Sequence, residues 1–374
     1  MYIKELSLRN FRNYEKIDIK FNRENNLLIG DNGQGKTNIL ESIYILGMVK
    51  SFRSVLDKDL MRWDSDSYFI KAIYNESDYD TTINIGYHNG KKQAQENQTV
   101  VEKLSSLVGS LKVVVFTHND TDLIIGAPSK RRRYLDITLS LVSKKYFKLL
   151  QSYQKVVKQR NMALKNAKKD RSQTKLVSIW DEQLVEYGSE IITTRHAFFD
   201  PINELTTQLY NSLQFGVEDF KIDYRSSLGS VQIELNESNS VKTLFQKKLN
   251  ENIDREIQYR QTLYGPHKDD FSIRSGDVEF KRFASQGQSR GGALTLKLAM
   301  TQYIEQMTKT KTILLLDDIL LDLDNEKKDR FLSLVQGRQN FFTATSLYGL
   351  ESITANSSIF NVSDDQIAQE ENSG

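Results

Sequence analysis

No cysteine occurs among the 374 residues, which removes disulfides, thiolate zinc sites and cysteine nucleophiles together and suits a reducing, cytoplasmic setting. Histidine is scarce as well. His88, His118, His196 and His267 stand far apart with no HxxxH-like spacing, so each is expected to play a local role and not to bind metal. No stretch approaches the roughly 18 apolar residues of a membrane helix, and charges run throughout Met1 to Lys20, so a soluble, unprocessed chain without a membrane partner is expected. An excess of one charge is missing too: 51 basic against 49 acidic residues leave +2, so the overall balance announces no polyanionic partner. What remains is ample for a core. At 39% hydrophobic residues and this length, one large domain carrying an insertion, or two lobes, is expected.

Apolar residues alternate with polar ones from Tyr2 to Leu8 and again at Ile17, Ile19 and Phe21, which predicts two strands joined by a turn around Asn10 to Asn13. A third strand, Asn26 to Ile29, runs into a glycine-rich loop. Beyond it Ile39, Leu40, Ile43 and Leu46 recur at helical spacing. From about Ser129 to Leu209 the strand signals fade, and Tyr146, Leu149, Leu150, Tyr153, Val156 and Val157 mark one face of a helix in what reads as a helical arm. Strand patterns return at Phe271, Ile273 and Val278, at Ile313 to Leu316, and at Asn340 to Thr345. The acidic tail from Asp364 is expected to fray. The fold class expected is α/β: a P-loop lobe over 1–122 and 262–374, interrupted by a mainly helical arm over 123–261.

Gly30-Asp31-Asn32-Gly33-Gln34-Gly35-Lys36-Thr37 fits G-x-x-x-x-G-K-[ST] between a strand and a helix. Its backbone N–H groups can turn inward around a β-phosphate, Lys36 can reach the β and γ oxygens, and the Thr37 hydroxyl can coordinate Mg²⁺. ATP with Mg²⁺ is therefore the expected cofactor, with Asn38 next in line. The apolar run Ile313 to Leu316 ends in Asp317-Asp318, at the end of a buried strand where such sheets bind ligands. Successive strand residues point to opposite sides, so Asp317 would hold Mg²⁺ through water beside Thr37 while Asp318 orients or deprotonates the attacking water. A third segment, Ala284 to Arg290, opens a helix. Taken alone, Ser285 reads more readily as a serine N-cap with glycine for the turn than as a second anion site for a partner molecule's ATP.

This set of motifs resembles the RecF family, in the chromosome-maintenance branch of the ABC-type ATPases. The resemblance rests on Walker A at Gly30 to Thr37, a signature-like Ser285-Gln286-Gly287-Gln288 and Walker B at Ile313 to Asp318. It extends nearly end to end through Leu8-Arg9-Asn10-Phe11-Arg12-Asn13-Tyr14, Ser51-Phe52-Arg53-Ser54, Arg131-Arg132-Arg133-Tyr134-Leu135-Asp136, Lys158-Gln159-Arg160-Asn161, Gly265-Pro266-His267-Lys268-Asp269-Asp270 and Leu323-Asp324. The resemblance implies an ATP-dependent homodimer in which each nucleotide lies between one Walker A loop and the other subunit's Ser285 and Gln288. It implies weak, DNA-stimulated ATPase activity, DNA binding in repair and replication, a nucleoid-associated location, and work with RecO and RecR to load recombinase at gaps. It further implies that Arg12 or Arg53 contacts the nucleotide, that Asp324 lies at the dimer seam, and that Thr343 to Thr345 sense the γ-phosphate. Asp318 replaces the glutamate of transporters. Ser289, Gly291 and Gly292 stand where glutamine and bulkier residues are expected, loosening the signature helix by roughly 1 kcal/mol per glycine, and Leu321 replaces a small residue.

Between Lys144 and Lys175 eleven basic residues face a single acid, Asp170, just downstream of Lys130-Arg131-Arg132-Arg133. A solvated face normally mixes signs, so this imbalance favours a polyanion bound without sequence reading, with Arg131, Arg132, Lys155, Lys158 and Lys165 as candidate phosphate contacts. An idle basic face remains the alternative. A clamp that holds ATP and DNA without meaningful hydrolysis is equally compatible with the sequence. A transporter's nucleotide-binding subunit fits far worse, for want of an LSGGQ-type signature and a catalytic glutamate.

Overall fold

A computed structural model describes residues 1–370 apart from Val55, 217–218, 230–237, Gly349 and Ala355, and without the side chains of Ser238, Leu321 and Asp322. Leu321, one of the departures noted above, therefore has its side chain outside the described residues. Three strands, β1 (Tyr2–Phe11), β2 (Tyr14–Lys20) and β3 (Asn25–Ile29), lead to α1 (Lys36–Met48). Then come β4 (Ser67–Glu76), β5 (Tyr79–His88), β6 (Lys91–Glu96), β7 (Thr99–Val100) and β8 (Val113–Phe116). Helices follow: α2 (Asp122–Ile125), α3 (Pro128–Val142), α4 (Lys144–Lys169) and α5 (Thr174–Leu213), then β9 (Phe220–Arg225) and α6 (Ser238–Tyr259). The chain continues through β10 (Asp270–Ser275), β11 (Val278–Glu279), α7 (Gln286–Thr308), β12 (Ile313–Asp317), α8 (Asn325–Val335), β13 (Gln339–Ala344), α9 (Glu351–Thr354), β14 (Ser357–Ser363) and β15 (Gln366–Gln369).

Two compact units result, Met1–Asp120 with Ile304–Gly374, and Thr121–Tyr303. Residues 262–303, expected in the P-loop lobe, fall in the second unit, whose later boundary lies within α7. The reason is a set of ties that bind 262–303 to the helices: β10 pairs along β9, Arg131 clasps Asp270, and the Tyr134 hydroxyl donates to the Leu296 carbonyl at 2.6 Å.

The first unit holds two six-stranded sheets, ordered β2-β1-β4-β5-β6-β7 and β15-β14-β3-β13-β12-β8. The first is antiparallel throughout; in the second, β14, β3, β13, β12 and β8 run parallel and β15 is antiparallel. Helix α1 packs against β4 and β5 of one sheet and β8, β12 and β13 of the other. It therefore buries more than one stripe: Tyr44 and Ile45 join Ile39, Leu40, Ile43 and Leu46 in the core, each such side chain contributing roughly 1.5–3 kcal/mol on leaving water. At the tail, the expected fraying is corrected. Gln366–Gln369 pairs with β14, so the chain is ordered at least that far.

In the second unit α4 and α5 pack side by side, with α6 against both, beside the sheet β11-β10-β9. Tyr146, Leu150, Tyr153 and Val156 are buried as their spacing predicts. Gly291, expected to loosen α7, has a different account: a Cβ there would lie 2.2 Å from the ring of Phe215, so the helix gives up roughly 1 kcal/mol of propensity to let that ring rest on its backbone.

The Gly265 to Asp270 motif forms a buried polar knot. Arg195, 1% exposed, donates to Asp136 Oδ1 at 2.7 Å and to the Pro266 carbonyl at 2.6 Å, while the Tyr224 hydroxyl and the Ser227 N–H converge on the buried Asp269. The His267 Nε2–H donates to the Thr262 carbonyl at 3.1 Å, which leaves Nδ1 to accept from the Tyr153 hydroxyl at 2.7 Å. Burial, the largest influence, pulls the imidazole down from 6.5 to about 4. The folded state thus needs neutral His267, whereas the unfolded chain protonates below about 6.5. Its contribution is full above that value and is lost as pH falls towards 4, about 3 kcal/mol in all. Urea midpoints of wild type and His267→Gln should converge between pH 7 and 5. A difference that stays flat across that range would contradict the assignment.

Candidate functional site

The glycine-rich loop leaves β3, and its last glycine, Gly35, caps α1 at φ 106°, a left-handed conformation in which a Cβ would meet Asn13 Nδ2 and the Tyr14 hydroxyl at 2.6 Å. Lys36 is 4% exposed and turns its Nζ back into the loop, donating to the carbonyls of Gly30 at 2.6 Å and Asp31 at 3.0 Å. An ammonium held at a helix N-terminus, beside open Asp31, Asn32 and Gly33, is arranged for the phosphates of a nucleotide. Gln34 is engaged elsewhere: its Oε1 accepts from the Asp364 N–H.

Strand β13 separates β3 from β12, with Thr343 in register with both Leu28 and Asp317. This order brings Thr37 and Asp317 together across 280 positions of sequence, the hydroxyl donating to Oδ1 at 2.8 Å. Burial pushes the Asp317 carboxyl above its usual range, with hydrogen bonds from Thr37 and Thr343 pulling the other way. A half-buried carboxylate and a hydroxyl are the hard oxygen donors that Mg²⁺ takes, so these two residues fit that ion. The expectation that the two acids face apart is corrected. Asp318 lies just past the strand in the left-handed region, φ 53°, which aspartate tolerates better than most residues. As a result both carboxylates reach one hydroxyl, that of Thr343, at 3.0 and 3.3 Å.

Several expected contacts are placed differently. Arg12 grips the buried Glu41 with two bonds of 2.8 Å and also donates to the Asp59 carbonyl and Ser54 Oγ, so its guanidinium is committed to bracing α1 and is not offered to nucleotide. Arg53 is the more open of the two, donating to Asn38 Oδ1 at 2.8 Å. Ser285 and Gln288 belong to the second unit, where they form a reciprocal capping box at the start of α7: the Ser285 N–H donates to Gln288 Oε1 at 2.9 Å and the Gln288 N–H to Ser285 Oγ at 3.2 Å. Asp324 caps α8 by accepting from the Lys327 N–H at 2.9 Å.

Of the proposed DNA contacts, Lys155, Lys158 and Lys165 are exposed on α4. Arg131 is not: it is 5% exposed and held bidentate on Asp270 at 2.7 and 2.8 Å, because that acid lies on the strand packed against α3. It leaves the set. Arg132 is half-buried and donates to the Asp269 carbonyl at 2.8 Å.

Sequence reasoning gave no role to Asn13 or to the Asp364 turn. The Asn13 amide accepts from Asn38 Nδ2 at 2.8 Å and donates to the carbonyls of Gln34, at 3.3 Å, and Asp364. It thereby ties the β1–β2 turn and the C-terminal hairpin to the phosphate loop. The only local signal was the turn asparagine itself, since its partners lie up to 351 positions away.

A phosphate loop after β3, an acid pair at the end of β12 and a strand between them, beside an antiparallel sheet, define an ABC-type ATPase fold. A crystallised Smc head domain from Pyrococcus furiosus shares that fold at a TM-score of 0.54 and 14% identity. The chain belongs to the RecF family: residues 2–366 match the model of the RecF/RecN/SMC N terminal domain. It is 35% identical over 371 residues to the DNA replication and repair protein RecF of Clostridium acetobutylicum, covering 99% of this chain and 100% of the relative. The RecF of Bacillus thuringiensis is 36% identical, with 94% of each chain covered. A solved structure of the recombination mediator protein RecF with ATP, in the RecFOR pathway, superposes with a TM-score of 0.91 at 31% identity, covering 99% of this chain and 98% of that one. No helix among the described residues is long and apolar enough to cross a membrane.

Proposed function

We propose that this protein is an ATP-gated, DNA-binding homodimer of recombinational repair and replication, with slow ATPase activity. In this reading it binds DNA at gaps or junctions without reading sequence and works with RecO and RecR partners. The observation that carries the proposal is the 2.8 Å approach of Thr37 to Asp317 beside the buried Lys36. Bound Mg²⁺ would supply charge neutralisation at the phosphates. Lys36 would face the β and γ oxygens, Thr37 and Asp317 would hold the ion, and Asp318 would orient the attacking water and could take its proton. Ser285, already turned to the start of α7, would meet the nucleotide of a second copy, with Gln288 beside it and Asp324 at the seam.

Lys155, Lys158 and Lys165 would meet DNA phosphates. Their joint replacement by glutamine should weaken binding to gapped DNA at every sequence and lower the slope of log affinity against log salt by about two to three units, at roughly 0.7 to 0.9 per lost contact. Sedimentation with and without ATP, Mg²⁺ and gapped DNA reads both binding and dimerisation. An unchanged slope would show that the arm does not hold DNA, and a sedimentation coefficient indifferent to ATP would remove the gated dimer.

A further inference from the structure

Every residue of β13 from Gln339 to Ala344 is buried, and in such a strand a hydroxyl is costly unless it is bonded, since valine would fill the same space. Thr343, 5% exposed, uses its hydroxyl fully. Its Oγ1 accepts from the Asp318 N–H at 2.9 Å and lies 3.0 Å from Asp317 Oδ1 and 3.3 Å from Asp318 Oδ1. One proton serves two carboxylates. The Thr37 hydroxyl reaches the same Asp317 oxygen from the other side, at 2.8 Å.

We propose that Thr343 is a positioning residue for ATP hydrolysis, one that fixes both Walker B aspartates from the neighbouring strand. The inference rests on the reading of Asp317 and Asp318 given above. By accepting from the backbone N–H, Thr343 holds Asp318 in its left-handed turn, the conformation that brings the second carboxylate round beside the first. By donating, it shares Asp317 Oδ1 with Thr37 and leaves Oδ2 as the oxygen offered to a cation. Sensing of γ-phosphate by the segment that follows would then begin from a hydroxyl already bonded to both acids.

Thr343→Val and Thr343→Ala remove the hydroxyl with and without its volume, and Thr343→Ser restores it. The valine variant should lose about 10- to 100-fold in kcat with KM changed by less than about threefold, the scale expected when a reacting group is misplaced by an ångström or less. Mn²⁺ titrated into the protein with ADP, followed by electron paramagnetic resonance, should bind several-fold more weakly in the valine and alanine variants. The serine variant should recover both readouts. Wild-type Mn²⁺ affinity in the valine and alanine variants, or a serine variant no better than valine, would overturn the proposal. If valine prevents folding, alanine takes its place in the comparison. Should the wild type itself turn over no ATP, the hydrolysis reading falls, and the Mn²⁺ titration alone decides the role of Thr343 by the same two outcomes.

Discussion

Lys36→Ala should reduce ATP affinity by about a hundredfold or more and abolish any nucleotide-dependent sedimentation shift. The ammonium is 4% exposed and fixed by the Gly30 and Asp31 carbonyls, so it meets phosphate without first paying to be ordered or buried. Removing one partner of such a desolvated charge contact costs about 2–5 kcal/mol, and 2.8 kcal/mol is roughly a hundredfold in affinity. The fold should survive, because alanine is the best helix former and the site is the first residue of α1. Arginine is no substitute. Its planar fork is wider than the point charge that the loop encloses, so Lys36→Arg should bind nearly as poorly. Titration with a fluorescent ATP analogue, alongside circular dichroism to confirm folding, checks both variants. An affinity equal to wild type would remove the phosphate-loop assignment.

The phosphate loop was legible because its chemistry is local: glycines, a lysine and a threonine at fixed spacing determine a backbone path without help from elsewhere. The acid pair was legible for the same reason, as an apolar run ending in two carboxylates. Their relative orientation was not, since it depends on the left-handed turn at Asp318 and on Thr343, 25 positions away. Arginines were the least legible. A guanidinium at Arg12 or Arg131 looks the same in a sequence whether it faces phosphate or is spent on a carboxylate, and the partners here, Glu41 and Asp270, lie 29 and 139 positions distant. Strands β4 and β5 alternate buried and open residues, Tyr68, Ile70, Ala72 and Tyr74 on the first and Ile83 and Ile85 on the second, but alternation alone does not say which strand each one pairs with. The cost of Gly291 was legible and its reason was not: helix propensity is a property of one position, whereas the ring it accommodates, Phe215, belongs to another part of the chain.

Arg160 shows what a motif residue can do away from any reaction. It is 0% exposed on α4 and donates to Asp181 on α5 at 2.6 Å, to Glu256 on α6 at 2.7 Å and to the Thr262 hydroxyl at 3.1 Å, so one side chain joins three helices and the segment after them. Glu256 is also fully buried, and burial pushes its carboxyl above the usual range while the guanidinium opposes that rise. Arg160→Ala strands two acids beside the cluster of Leu164, Ala167, Val177 and Ile257, and should destabilise this unit by about 3–5 kcal/mol in urea denaturation. The deficit should depend on pH with a defined sign. Without the arginine, the folded Glu256 carboxyl rises further and is best kept protonated, so the variant fares better near pH 5 than at pH 8, losing stability as pH climbs through the raised value. Adding Asp181→Asn and Glu256→Gln should recover a large part of the loss, because neutral amides cost far less to bury than unpaired carboxylates. A deficit below about 1 kcal/mol, or one that does not change with pH, would mean that water reaches the acids and that the three helices are held by their apolar faces alone.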